Sequence, residues 1–222
     1  MIALDLFSCA GGAGYGYKLA GFDVIGIDKE DYSRYYSHAG EFHQLDWREG
    51  LERFAAQADL IHASPPCQDY SQALRHLARK GKKVYPRLIE PVREALSATG
   101  KPWIIENTPG APLWFRDTLF GDHGVLLCGT MFGKRIYRHR LFDASFPVAA
   151  PGPCDHSLRA INPHNSQSRK RYREEFGDNS ERWWRAEMGV EWINDDHIAR
   201  EAIPPVYTQH LAKQFLQLKE AA

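Results

Sequence analysis

The stretch IALDLFSCAGGAGYG, residues 2–16, decides the fold class of this 222-residue chain. Its apolar start is typical of a buried β-strand, and its glycines let backbone N–H groups approach a ligand at the start of a helix. The glycines do not match the GxGxxG fingerprint of dinucleotide-binding folds, because Tyr17 or Leu19 stands where the third glycine belongs. We therefore expect a strand, a cofactor loop and a helix, with a cofactor other than NAD.

Apolar runs recur along the first half of the chain and alternate with amphipathic segments. Strands are predicted at 2–7, 23–28, 60–64, 103–108 and 124–129. Helices are predicted at 13–20, 32–38, 49–56, 86–98 and 205–218. This alternation favours an α/β fold with a mostly parallel, Rossmann-like sheet.

The composition limits the class of protein without naming a partner. With 43% hydrophobic and 25% charged residues, the chain has the size of one large domain with at most a small insertion. Its 28 basic residues balance 28 acidic ones, so a nucleic-acid surface has to come from local clusters. The chain has no apolar run of membrane-span length and no secretory signal at its start, so we expect a cytoplasmic protein without a membrane partner.

The four cysteines, at positions 9, 67, 128 and 154, are widely spaced and form no CxxC pair. This spacing favours reduced thiols over a disulfide framework or a zinc cluster. Cys154 and His156, with His164 nearby, offer metal-ligating atoms, but their spacing fits no common metal site. We therefore expect no metal ion.

Polar residues stand where several predicted strands end, at the edge where parallel sheets bind ligands. Asp28 ends the second strand, and its carboxylate either accepts hydrogen bonds from a ribose or caps the next helix. Cys67 follows the apolar run ADLIHA and two prolines, and it is either a small core residue after a turn or a nucleophile. Glu106, with Asn107, follows PWII and is either a salt-bridge partner or a general acid beside that nucleophile.

Two arginines form a further candidate pair in the stretch RIYRHRLF. Arg138 and Arg140 alternate with Tyr137 and His139, so on a strand the two guanidinium groups would share one face. Arginines are usually solvated, but a pair beside a cofactor sheet is suited to binding a base carbonyl or a phosphate.

The motifs DLFSCAGGAG, SPPCQDYS, ENT, YRHRLF and AIPP occur in an order and spacing that resemble the cytosine-C5 DNA methyltransferases, and the short chain is similar to bacteriophage-encoded members. The resemblance covers about 1–142 and 188–218. It implies an S-adenosylmethionine-dependent methyltransferase sheet, double-stranded DNA as the partner, and the cytoplasm of a bacterial or phage-infected cell. It leaves the oligomeric state open.

The same resemblance implies roles for individual residues. Cys67 would attack C6 of a flipped-out cytosine, and Glu106 would hold N3 and the exocyclic amine. Arg138 and Arg140 would bind O2 or brace the site. The methyl donor would be held by Asp5, Phe7, Ser8, Gly11, Gly12, Asp28, Asp46 and Pro65. The substrate would be contacted by Pro66, Gln68, Ser71 and Asn107.

Several positions depart from the family pattern. Cys9 replaces a glycine, Thr108 replaces a valine, and Ile136 replaces a glutamine. Near the C-terminus GNAVPP becomes REAIPP, which brings in Arg200 and Glu201. That pair would lie close to the donor and the base, either as an ion pair or with the arginine as partner for a donor that carries an extra carboxylate.

Residues 143–194 take the place of a target-recognition domain between a catalytic domain at 1–142 and a returning segment at 195–222. The apolar spacing within 164–185 is poor for a core helix. A basic cluster in this segment is either a solvated loop or a set of phosphate contacts, and we expect the latter for Arg169, Lys170, Arg171 and Arg173. Weaker candidates for base contacts are Asn165, Gln167 and Arg159.

Two other functions fit the same motifs. An RNA cytosine methyltransferase would use the same catalytic set, since a small recognition segment suits a structured RNA. A catalytically silent DNA-binding protein could share the fold, but it would have no need for Cys67, Glu106 and Arg140 together.

Overall fold

The structure is a computed structural model that describes residues 1–67, 87–109, 111, 124–157, 160–163 and 165–221. Two of the expected substrate contacts, Gln68 and Ser71, lie outside the described residues. Arg159 and His164 lie outside them as well.

The described strands form one seven-stranded sheet in the order β3-β2-β1-β4-β5-β7-β6. Their bounds are β1 Ile2–Leu6, β2 Asp23–Asp28, β3 Glu41–Gln44, β4 Leu60–Ala63, β5 Trp103–Asn107, β6 Gly124–Leu127 and β7 Arg140–Ala144. The first five strands are parallel, whereas β7 runs antiparallel to both β5 and β6. The predicted α/β class with a mostly parallel sheet is confirmed. The strands β3 and β7 were not among the predicted ones.

Helices connect and cover the strands. Their bounds are α1 Gly12–Leu19, α2 Ser33–Tyr36, α3 Trp47–Phe54, α4 Ile89–Ala98, α5 Ser166–Phe176, α6 Ser180–Met188, α7 Asp196–Glu201 and α8 Pro205–Glu220. Short 3₁₀ turns lie at Ala55–Gln57, Gly129–Phe132 and Gly177–Asn179. Among the described helices, none combines the length and apolar character that a membrane crossing needs.

Alternate residues of the strands enter two separate cores, because successive side chains of a strand point to opposite faces. On one face, α1 and α8 bury Tyr17, Tyr207 and Phe215 against the sheet. On the other face, α3 and α4 bury Leu51 and Leu96. The sheet is therefore covered on both sides, as parallel sheets require.

The segment after β7 has its own core. The expectation that 164–185 lacks a core helix is wrong, since most of it forms α5 and α6. Tyr172, Trp184 and Met188 are each at most 2% exposed and pack together with Ile136 and Ala10. A few large side chains in an otherwise polar sequence thus hold this unit against the loop that follows β1.

Candidate active site

The loop after β1 has a strained and tightly held backbone. Phe7 and Cys9 adopt positive φ angles of 59° and 46°, a region that residues with a Cβ rarely occupy. The amide of Ser8 donates to the Ile27 carbonyl over 3.0 Å, and the amide of Cys9 donates to Oδ2 of Asp28 over 2.9 Å. Strand β2 therefore fixes the conformation of this loop, and the positive φ explains why a glycine is the easier residue at position 9.

The two glycines at the start of α1 serve close packing. A Cβ on Gly12 would lie 2.4 Å from the Ile203 carbonyl oxygen, and one on Gly11 would lie 3.0 Å from the Tyr36 ring. The absent side chain of Gly12 lets the loop approach the AIPP segment before α8, and that of Gly11 leaves room for the ring of Tyr36. The expected contact of Gly11 and Gly12 with a cofactor stays a prediction.

Two carboxylates meet below this loop. Asp5 is fully buried on β1, and burial raises the pKa of its carboxyl to about 7 although the Tyr36 hydroxyl donates to it over 2.9 Å. Asp28 ends β2 and accepts from the amides of Cys9 and Glu30, so it does not cap the following helix. Burial raises the pKa of Asp28 too. Asp46, by contrast, caps α3 by accepting from the Arg48 amide.

Cys67 lies four residues beyond the end of β4 and is half-buried. Its loop is held by two hydrogen bonds. The Ser64 amide donates to the Leu6 carbonyl over 3.1 Å, and the side-chain Nδ2 of Asn107 donates to the Pro65 carbonyl over 2.8 Å. The side chain of Asn107 thus supports the cysteine loop, and its expected contact with substrate stays a prediction, as does that of Pro66.

Glu106 and the two arginines of the YRHRLF motif meet beside this loop. Nε of Arg140 lies 2.8 Å from Oε1 of Glu106. Arg138 is 2% exposed, its Nε donates to the Ala202 carbonyl over 3.1 Å, and its own carbonyl accepts from the Tyr207 hydroxyl over 2.6 Å. The antiparallel strand β7 brings the arginines here, so the structure joins residues far apart in sequence at one edge of the sheet.

The charges around Cys67 act on one another. Burial raises the pKa of the Cys67 thiol, Arg140 and Arg138 lower it, and Glu106 and Glu201 raise it. Burial also raises the pKa of Glu106, against the lowering by Arg140. The charge of Glu201 therefore acts on this site, near which its place in the REAIPP segment had put it.

Residues 1–109 match the family model of the C-5 cytosine-specific DNA methylases. The match covers just under half of the chain and supports the resemblance seen in the motifs. It contains the loop after β1, Cys67 and Glu106, whereas Arg140 at the start of β7 lies outside it.

Two curated bacterial enzymes are similar in sequence to this chain. The type II methyltransferase M.HindV of Haemophilus influenzae is 36% identical over 83 residues, which are 33% of this chain and 27% of that protein. The type II methyltransferase M.FnuDI of Fusobacterium nucleatum is 34% identical over 117 residues, or 50% of this chain and 33% of that protein. This chain thus spans a third or less of the length of each of these relatives.

Among solved structures, the S. pombe Dnmt2 methyltransferase is similar in fold. It superposes with a TM-score of 0.58 at 13% identity and covers 98% of both chains. At this identity the likeness concerns the fold alone, and it agrees with the mostly parallel sheet described above.

The described residues of the loop after β1 fit S-adenosylmethionine, the cofactor of the matched family. Oδ1 of Asp5 and Oγ of Ser8 are buried with no hydrogen-bond partner in the described part of the chain. Buried polar atoms of this kind call for a ligand or ordered water. Phe7 packs 5.8 Å from the Trp47 ring, so an apolar surface adjoins these polar atoms. Roles of Pro65 and Asp46 toward the donor stay predictions.

The basic cluster lies on α5, and its four side chains make different contacts. Arg169 donates to the Pro163 carbonyl over 2.7 Å and Arg171 to the Ala160 carbonyl over 3.2 Å. Lys170 is exposed, and Arg173 lies 3.6 Å from Glu181. Phosphate contacts of these four residues stay predictions, and the geometry favours Lys170 and Arg173. Asn165 caps α5 by accepting from the Ser168 amide, which uses its side-chain oxygen.

The side chains of Arg200 and Glu201 have different surroundings. Arg200 lines a cavity of about 110 Å³ together with Arg169, Arg173 and Asp196. The charge of Glu201, by contrast, acts on Cys67, Glu106 and Arg138. The alternative role of Arg200 as a partner for a carboxylated donor gains no support from this placement.

Proposed function

We propose that the protein is a DNA (cytosine-5)-methyltransferase that moves a methyl group from S-adenosylmethionine to C5 of a flipped-out cytosine. The observation that carries this proposal is the convergence of Cys67, Glu106 and Arg140 at one edge of the sheet, beside the donor loop. A thiol, a carboxyl group and a guanidinium group are the set that the chemistry of this base requires.

C5 of cytosine is a poor nucleophile, so the reaction needs prior attack at C6. Cys67 supplies the sulfur, which forms a covalent bond to C6 and makes the ring electron-rich at C5. Burial raises the pKa of this thiol overall, and the charges of Arg140 and Arg138 act against that rise and so favour the thiolate. When the thiolate attacks, negative charge moves from sulfur into the ring, and the nearby arginines stabilise it there.

Glu106 supplies the proton that the ring needs at N3. Burial raises the pKa of its carboxyl group, so the protonated form is more accessible than for an exposed glutamate. A carboxylic acid at N3 donates its proton as negative charge develops, and its second oxygen accepts from the exocyclic amine. Arg140, at 2.8 Å, fixes the orientation of this carboxyl group.

Arg138 is a positioning residue in this proposal. Its Nε is bound to the Ala202 carbonyl, so the side chain ties the site to the segment before α8. Arg140 is the less buried of the two arginines and is the candidate to bind O2 of the base.

The donor site consists of this chain's own loop and carboxylates. When bound, S-adenosylmethionine supplies an electrophilic methyl group on a sulfonium. Asp5 and Ser8 would hold polar groups of the donor, Asp28 would hold its ribose, and Phe7 would contact its adenine. The strained loop keeps these groups in place before the donor arrives.

A methylation assay tests this function. Purified protein is incubated with tritium-labelled S-adenosylmethionine and either duplex DNA or total RNA, followed by nucleoside analysis. We expect label in 5-methylcytosine of the DNA, and none with Cys67→Ala. Label in RNA alone would keep the chemistry but reject DNA as substrate. No transfer to either polymer, with donor binding intact, would point to a silent DNA-binding protein.

A further inference from the structure

Four side chains with metal-ligating atoms converge at the end of the β6–β7 hairpin where the two strands are connected. Cys128 directly follows β6, and His139 directly precedes β7. Cys154 and His156 come from the proline-rich segment after β7 and fold back onto the hairpin. All four ligand atoms lie within 4.8 Å of one another. We propose that these residues form a structural Zn²⁺ site, which is independent of the proposed reaction.

The distances between the four residues suit tetrahedral coordination. Zn–S bonds of about 2.3 Å and Zn–N bonds of about 2.0–2.1 Å place neighbouring ligand atoms about 3.3–3.8 Å apart. Nε2 of His139 lies 3.1 Å from Nε2 of His156 and 3.4 Å from Sγ of Cys154. The 2.6 Å between Sγ of Cys154 and Nε2 of His156 is shorter, so binding moves these two atoms apart by about 1 Å.

The surroundings hold the ligands in place. The Thr130 hydroxyl lies 3.4 Å from Sγ of Cys128 and 3.3 Å from Sγ of Cys154. The Tyr137 hydroxyl donates to the His156 carbonyl over 2.7 Å, and the two rings pack at 4.8 Å. In metal sites, contacts of this kind to the ligating side chains hold them in the orientation that the metal needs. Four protein ligands leave no open position, which is typical of structural zinc rather than catalytic zinc.

Zinc accounts for all four side chains, whereas the other arrangements account for only some. A disulfide between Cys128 and Cys154 would use the two sulfur atoms but leave the two imidazoles with only the 3.1 Å hydrogen bond between their Nε2 atoms. A core packing role suits the fully buried Cys128 but not the exposed His156. Two thiolates and two neutral imidazoles around Zn²⁺ satisfy every one of these groups.

The bound ion would fix the start of the insertion to the catalytic sheet. His139 stands between Arg138 and Arg140, so a ligand bond at His139 restrains the backbone that carries both arginines. Residues 154–156 are then joined to that backbone through the metal. This site departs from the expectation of no metal, because that expectation rested on spacing along the sequence, which does not show that Cys128 and His139 lie beside Cys154 and His156 in the fold.

Metal content tests the site directly. The full chain is expressed in zinc-supplemented medium, purified under reducing conditions without chelator, and analysed by elemental mass spectrometry. We expect one equivalent of zinc per chain, and loss of most of it in Cys154→Ser and in His156→Ala. The matched control Cys9→Ser, which removes a cysteine outside the cluster, retains the zinc. Cobalt substitution of the wild type gives the absorption of tetrahedral Co²⁺ with thiolate ligands.

Three results would overturn the proposal. Wild-type protein without zinc or cobalt uptake has no such site, whatever the variants do. Zinc that stays in both ligand variants lies elsewhere. Thiol titration that finds a disulfide between Cys128 and Cys154 after native purification assigns the two sulfurs to a covalent bond instead.

Discussion

Nε of Arg140 lies 2.8 Å from Oε1 of Glu106, and both side chains are largely buried. The register of the sheet places both residues on one face, because Glu106 on β5 lies opposite Phe142 on β7 and Arg140 is two residues from Phe142. The pair offsets the cost of burying either charge alone. It also places a carboxyl group beside the half-buried Cys67.

The first prediction concerns Glu106. We expect Glu106→Gln to slow the chemical step by about 10²- to 10⁴-fold, because the amide cannot deliver a proton to N3. Binding of DNA and donor should change little, since the amide has the same shape. Single-turnover methylation measures the chemical step, and equilibrium binding measures the rest. An unchanged single-turnover rate would assign Glu106 a purely structural role.

The second prediction concerns the charge of Glu201. This carboxylate raises the pKa of the Cys67 thiol, so Glu201→Gln should lower that pKa. Arg140→Leu should raise it, because Arg140 lowers the pKa. The measurement is the pH dependence of iodoacetamide alkylation at Cys67, followed by peptide mass spectrometry. Glu30→Gln is the matched control, and a midpoint that moves as much in that variant as in Glu201→Gln would contradict the specific interaction.

The third prediction concerns the buried Asp5. Its carboxyl has a pKa of 3.8 when unperturbed and about 7 in the folded protein, so the folded state binds more protons between these values. Stability from this group is therefore present below the lower pKa and lost as the pH rises through the upper one, by at most about 4 kcal/mol.

Asp5→Asn removes this loss. The difference in melting temperature, variant minus wild type, should be more positive at about pH 8 than at about pH 5. Measurements without donor isolate the effect on folding. Ser8→Ala, a neighbour that does not titrate, should show the same difference at both pH values. An Asp5→Asn difference that does not depend on pH would mean that Asp5 is ionised throughout.

The fourth prediction concerns the DNA surface of α5. Lys170 is exposed and Arg173 makes one long contact with Glu181, whereas Arg169 and Arg171 bind backbone carbonyls. We expect Lys170→Gln with Arg173→Gln to weaken binding to target and scrambled duplexes alike. The slope of log affinity against log salt should fall by up to about 0.9 for each lost phosphate contact. Arg169→Gln with Arg171→Gln is the matched pair, and a wild-type slope in the first double variant would place the DNA path elsewhere.

The parallel half of the fold was predictable because each strand is a short apolar run followed by a turn or helix signal. The strand β3 escaped prediction because EFHQ has little apolar content and pairs only at the sheet edge. The insertion helices escaped it for another reason. Their burial depends on single large residues such as Tyr172 and Trp184, which meet Ile136 and Ala10 only after the chain has folded.

The candidate site divides in the same way. Cys67 and Glu106 were predictable because Glu106 stands near the end of the apolar strand β5 and Cys67 follows the apolar strand β4 by four residues. The role of Glu201 depends on where α7 ends, and the cluster of Cys128, His139, Cys154 and His156 depends on the β6–β7 hairpin. Such tertiary contacts leave no periodic signal in the sequence.

Covalent trapping at Cys67 tests the central claim most directly. Duplex DNA with 5-fluorocytosine in place of cytosine is incubated with the protein and S-adenosylmethionine, and the product is analysed by denaturing mass spectrometry. Since C5 then carries no proton to lose, the wild type should retain a covalent bond between the DNA and Cys67, while Cys67→Ala binds donor but forms no adduct. Methylation of ordinary DNA by Cys67→Ala at the wild-type rate, or wild-type activity without any trapped complex, would contradict the account.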